Sequence, residues 1–170
     1  MINHLPDRLD LLAAATAGRV LQGRIQLSRL ERVLPSLLSS AGELQVKMEF
    51  GRDRDRTLYL SGTIQGNTVL ECQRCLGSMN YPLDLEFLLG LVPDQESARR
   101  LPERYEPLLL TGEPALLADV ISDEVLLALP IVSLHNATDE CRGPLADYKT
   151  PESEQRENPF AVLEQLKQKQ

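Results

Sequence analysis

Residues 44–50 constrain the fold more than any other stretch. Leu44, Val46, Met48 and Phe50 alternate with Gln45, Lys47 and Glu49. Period-two alternation gives a strand one buried and one wet face, as in antiparallel sheets. Residues 51–55 read as a polar turn. Leu58, Leu60 and Ile64 then alternate with polar neighbours, Gln65-Gly66-Asn67 predicts a second turn, and residues 68–72 form a third run. Met79, Tyr81, Leu83, Leu85, Phe87, Leu89 and Leu91 share one face of a fourth run, with Asp84 and Glu86 on the other. A slip of one residue would move every apolar side chain into water, so the register should be well defined.

The flanks predict helices. Residues 7–17 favour a short one stopped by Gly18, and residues 19–27 a strand. Ser28 is placed to cap a helical stretch that ends before Pro35. Residues 93–107 are charged and loop-like, with a helical piece at 95–100, and lead into extended residues 108–110. Pro114 suits the first turn of the main helix, which runs to Leu129 and is ended by Pro130. Leu117, Val120, Ile121, Val125 and Ala128 give that helix an apolar stripe to lay on the sheet, with Asp119 and Asp123 on its outer side. The fold class expected is α+β: an antiparallel β-meander of about four to six strands, packed by one main helix, with short N- and C-terminal helices. Residues 1–142 make a single domain. Residues 143–157 read as a flexible acidic linker, and 158–170 as a C-terminal helix opened by Asn158 and Pro159.

Charge and cysteine usage narrow the function classes. A formal net charge of −7 disfavours nucleic-acid binding through a broad basic face and suits a basic protein partner. Three cysteines are an odd number in a chain that is not disulfide-dense, which favours reduced thiols. The N-terminus lacks the pattern of a secretory signal, and no apolar run reaches the roughly 18 residues that span a bilayer. The expectation is a cytoplasmic protein with no membrane partner and no small-molecule substrate.

Four side chains can carry metal chemistry. Cys72 and Cys75 lie three apart in Glu71-Cys72-Gln73-Arg74-Cys75, and His135 and Cys141 follow the main helix. Thiolate and imidazole suit zinc, and a structural site takes four such ligands in a tetrahedron. The competing reading is free thiols in a turn and an ordinary loop histidine. A redox reading of the CxxC pair lacks the expected context, because such motifs open a helix and this pair lies between strands. Asp119, Asp123 and Glu124 read as a solvated helix face. Arg52, Arg54 and Arg56 are interleaved with Asp53 and Asp55 and read as a solvated turn. Arg74, between the cysteines, is a candidate partner contact. So are Asn158, Pro159, Phe160 and Leu163 of the last helix.

The ordered set of motifs resembles the bacterial YceD family of large ribosomal RNA subunit accumulation proteins. The residues that carry it are 71–75, Tyr105-Glu106-Pro107, the run 123–130 with His135 and Cys141 after it, and residues 158–163. The resemblance implies a factor in the synthesis, processing or stability of large-subunit ribosomal RNA, and implies no catalytic activity. Relatives with more cysteines after the helix suggest a metal site, for which this chain offers His135 and Cys141. The partners implied are ribosome-assembly or RNA-processing proteins, among which the acidic charge favours basic ribosomal proteins. Direct RNA contact stays open. The alternatives are a thiol oxidoreductase or nuclease using the CxxC region, and a structural zinc-stabilised interaction module.

Overall fold

The structure, a computed structural model, describes residues 5–137 and 140–146. Among the described residues the strands are β1 (Arg8–Leu9), β2 (Val20–Gln26), β3 (Glu43–Arg52), β4 (Leu58–Glu71), β5 (Ser78–Val92), β6 (Glu106–Leu109) and β7 (Ala115–Leu116). The helices are α1 (Leu11–Thr16), α2 (Gln95–Arg99) and α3 (Leu117–Ala128). Strands β2 to β6 form one sheet in that order, and β1 pairs with β7.

The alternating stretch forms β3, and its apolar face is wholly inside. Leu44, Met48, Leu60, Ile64, Ile121 and Val125 are fully buried. The polar set, including Gln45, Lys47 and Gln65, faces water. α1 packs on β3 and β4, and α3 packs on β5, so both roof the same side. Asp10 caps α1 by accepting from the Ala13 N–H at 2.9 Å. Leu117, Val120, Ile121 and Val125 form the buried stripe of α3 as expected, with Ala128 half-buried.

Several expectations need correction. The sheet is mixed, because β6 runs parallel to β5. The crossover between them, which contains α2, turns the chain back to its original direction, which a tight hairpin cannot do. Gln65-Gly66-Asn67 is no turn, for β4 runs straight through it. There Gly66 lies opposite both Leu44 and Leu83, and Asn67 opposite Pro82. Pairing on both sides overrides the local turn preference. Residues 28–34 form no α-helix. Single 3-10 turns occupy Leu27–Arg29 and Leu34–Ser36. Leu27, Leu30 and Val33 are all fully buried, and their spacing of three fits a tighter turn. α1 and α3 both start later than predicted, because Arg8–Leu9 pairs with Ala115–Leu116.

The tip of the β3–β4 hairpin is tied down by Asp53. Its carboxylate accepts from the Thr57 N–H at 2.8 Å, the Tyr105 hydroxyl at 2.8 Å and Arg104 at 2.6 Å. Tyr105 also stacks on Tyr59 at 6.4 Å. Tyr105 thus anchors the start of β6, which gives the Tyr-Glu-Pro motif a structural role.

The path of β4 through Gly66 can be tested. A Cβ there would lie 2.6 Å from Leu44 Cδ2 and 3.0 Å from the Glu43 carbonyl oxygen. Gly66→Ala is expected to lower stability by about 1–3 kcal/mol, read as a shifted urea midpoint with an unchanged slope. A neutral result would mean that the chain turns at this glycine.

Candidate metal centre

β4 and β5 pair from Tyr59 opposite Gly90 to Glu71 opposite Ser78. β3 stops opposite Gly66, so the last part of this ribbon reaches beyond it. The CxxC turn closes the ribbon's tip. The Cys72 N–H donates to the Gly77 carbonyl at 2.9 Å, and the Leu76 N–H to the Cys72 carbonyl at 2.8 Å. Leu76 takes φ +57, a left-handed conformation that costs a side-chain-bearing residue about 1–2 kcal/mol. That bend brings both sulfurs to one side. Leu70, Cys72, Cys75, Met79 and Cys141 form a small apolar core of their own.

The segment after α3 brings the other two ligating side chains. Gln73 holds it twice. Its N–H donates to the Ser133 carbonyl at 2.8 Å, and its side-chain amide to the Ile131 carbonyl at 3.3 Å. His135 Nδ1 then lies 3.7 Å from the Cys75 sulfur and 3.7 Å from the Cys141 sulfur. His135 Nε2 lies 3.2 Å from the Ser78 carbonyl oxygen. A carbonyl can only accept, so Nε2 carries a proton, and Nδ1 is the ring nitrogen that faces the sulfurs. Beyond Cys141, the Leu145 N–H donates to the Cys75 carbonyl at 3.0 Å. Gly143 lies flat on Gly77, and a Cβ at Gly143 would overlap the Cys75 carbonyl oxygen. Gly143 and the Leu145 N–H, read from sequence as part of the start of a linker, therefore touch the turn.

The four ligand atoms lie within 4.8 Å of one another. A tetrahedral zinc, with sulfur at about 2.3 Å and nitrogen at about 2.0 Å, has S···N edges of about 3.5 Å. The two observed S···N distances nearly match that edge. Three buried sulfurs and one imidazole are a donor set that could hold a zinc-like ion. With all four positions supplied by the protein, no site is left for a reactive water.

The electrostatics favour ligand-ready protonation states. Burial disfavours a charged Cys72. Against it, the backbone N–H groups of His135, Cys75 and Arg74 and the His135 side chain bring the thiol down to about 6. Cys75 is also buried but lowered, by the N–H groups of Gly77 and Gly143 and by the Cys141 thiol. His135 is raised, first by its hydrogen bond with Cys72. Cys141 is raised, first by burial and then by its neighbours' negative sulfurs.

The model of the family described as "Large ribosomal RNA subunit accumulation protein YceD" matches residues 60–167. The Large ribosomal RNA subunit accumulation protein YceD of Haemophilus influenzae is 33% identical over 174 residues, covering 97% of each chain. The chain belongs to the YceD family. No solved structure matches it significantly. The part matched by the YceD model contains most of β4, the CxxC turn, α3, His135 and Cys141, and so the whole cluster.

Arg74, expected as a partner contact, is exposed, and its side chain hydrogen-bonds the Cys141 sulfur. Asn158, Pro159, Phe160 and Leu163 lie outside the described residues. Asp123 pairs with Arg32 at 2.5 Å. Sequence reasoning missed Gln73, Ser133 and Gly143, which carry no ligand atom and place those that do. The Gly143-Pro144 pair, with one residue between it and Cys141, was the available signal.

Two results would check this geometry. Cys72 ionises at about 6 when folded, against the ordinary 9.0 of a free thiol. Its contribution to the stability of the metal-free protein is complete above pH 9, shrinks as pH falls and is gone below about pH 6. The stability gap between wild type and Cys72→Ser in urea should therefore widen from pH 6 to pH 9. Gly143→Ala should expose Cys141, raising its alkylation rate severalfold in metal-free protein while leaving the far-ultraviolet circular dichroism unchanged.

Proposed function

We propose that this chain is a non-enzymatic ribosome-biogenesis factor that supports large-subunit ribosomal RNA by binding protein partners, with a structural zinc held by Cys72, Cys75, His135 and Cys141. Membership of a family named for large ribosomal RNA subunit accumulation carries the first half. The closed set of four ligand atoms carries the second. With three thiolates and a neutral imidazole, a divalent zinc would leave one negative charge. The Arg74 side chain and the backbone N–H groups of the turn are placed to offset it. The chain's net charge of −7 favours a basic partner over naked RNA. No helix among the described residues is long and apolar enough to cross a membrane.

The thiol oxidoreductase reading takes support from the lowered Cys72 thiol, since a thiolate is the attacking species. Cys72 and Cys75 are both fully buried among the described residues, however, which opposes in-line attack on an incoming disulfide. Binding is the better reading.

The purified full chain is expected to carry about one zinc with its thiols masked, and His135→Ala to weaken zinc binding about tenfold or more. Three freely titrating thiols in protein purified without chelator would reject the zinc. In cells, deleting the gene should lower large-subunit ribosomal RNA. The wild-type gene should restore it and a Cys72→Ser/Cys75→Ser variant should not. Normal ribosomal RNA in the deletion strain would reject the biogenesis role.

A further inference from the structure

β6 is the edge of the five-stranded sheet, and α3 lies beside it. A groove of about 450 Å3 runs between them, floored by Leu89, Leu108 and Val120. Leu127 of α3 stands on its rim, 74% exposed. Glu106 of β6 and Glu124 of α3 line the same groove. Neither has an ion-pair or hydrogen-bond partner among the described residues. Asp123 alongside is already paired with Arg32.

A carboxylate half-buried beside an apolar trough and other carboxylates is poorly stabilised, because desolvation and repulsion both oppose its charge. Glu124 shows both effects. Partial burial and then the charges of Glu106 and Asp123 hold its carboxyl up to about 7. A cation from outside would relieve both, and an apolar side chain beside it would cover Leu127 and fill the trough.

We propose that the groove between β6 and α3 docks a basic segment of a protein partner, with an apolar side chain in the trough and a Lys or Arg between Glu106 and Glu124. This rests on the biogenesis reading and gives it a surface. Phosphates are repelled by the same carboxylates, so RNA is not the occupant. Pro107 of β6 has no N–H to donate, which blunts the edge against an added strand. The segment is therefore held mainly by its side chains. The net charge of −7 steers basic partners toward the molecule, and the two glutamates set where they settle.

The test uses the full chain with a photo-crosslinking amino acid in place of Leu127. The probe is the protein mixture stripped from large ribosomal subunits by high salt, then returned to low ionic strength. The expected result is attachment to a protein segment with a Lys or Arg within about four residues of the attachment point. Glu106→Gln/Glu124→Gln should cut the yield about tenfold. Attachment to residues 158–169 of the same chain, to a second copy or to residual RNA would overturn the proposal. So would no attachment, or a yield that the double variant leaves unchanged. A cellular arm separates this from the reading beneath it. If deletion lowers large-subunit ribosomal RNA and the Glu106→Gln/Glu124→Gln/Leu127→Ser chain restores it fully, the groove is rejected and the biogenesis role stands. If deletion has no effect, the biogenesis role itself fails.

Discussion

The register between β4 and β5 sets both the core and the cysteine cluster. It is continuous from Tyr59 opposite Gly90 to Glu71 opposite Ser78. Over its first part, alternate residues such as Leu60, Ile64, Phe87 and Leu89 point to the face roofed by α1 and α3. Beyond Gly66 the same alternation sends Leu70 and Met79 into a second, smaller core around the sulfurs. A slip of one residue would therefore break both at once. The continuity of β4 across a turn-like tripeptide follows from this: a turn at Gly66 would cut the ribbon that carries Cys72.

The cluster solves a charge problem that burial creates. Three sulfurs out of water would ordinarily stay neutral thiols, because desolvation disfavours the thiolate. The turn supplies backbone N–H donors where they offset this. Those of His135, Cys75 and Arg74 reach Cys72, and those of Gly77 and Gly143 reach Cys75. Two of these donors come from residues distant in sequence, so the lowering of the thiols is complete only once the segments on both sides of His135 have docked. Packing Gly143 on Gly77 is the step that brings in Cys141 as well.

The parts legible in the sequence were those governed by short periods. Alternation at 44–50 and 79–91 marked strands and their buried faces, and the stripe through Leu117, Val120, Ile121 and Val125 marked the roof helix. The four ligand candidates could be named from residue type and spacing, although nothing local showed that they meet. What stayed hidden depended on partners far along the chain. The direction of β6 is set by a crossover, and the late starts of α1 and α3 by the pairing of Arg8–Leu9 with Ala115–Leu116. The backbone carbonyls of Ser78 and Ser133 act through position alone, so residue identity gives no hint of them.

A metal held by all four of these side chains would have no open position for a substrate, and the influence of such a cluster would pass through what it holds in place. Gln73 shows how. By bonding the carbonyls of Ser133 and Ile131, it fixes the loop after α3 with Ser133 turned inward and Ile131 and Val132 outward. Ile131 is 96% exposed there. The loop is held at its other end by His135, which lies in the cluster. The sulfur and imidazole groups thus help to fix the surface at the end of α3, the helix whose exposed Leu127 borders the acidic groove. Loss of the cluster would then be felt at the surface first, while the sheet, whose core lies on the far side of Gly66, keeps its register.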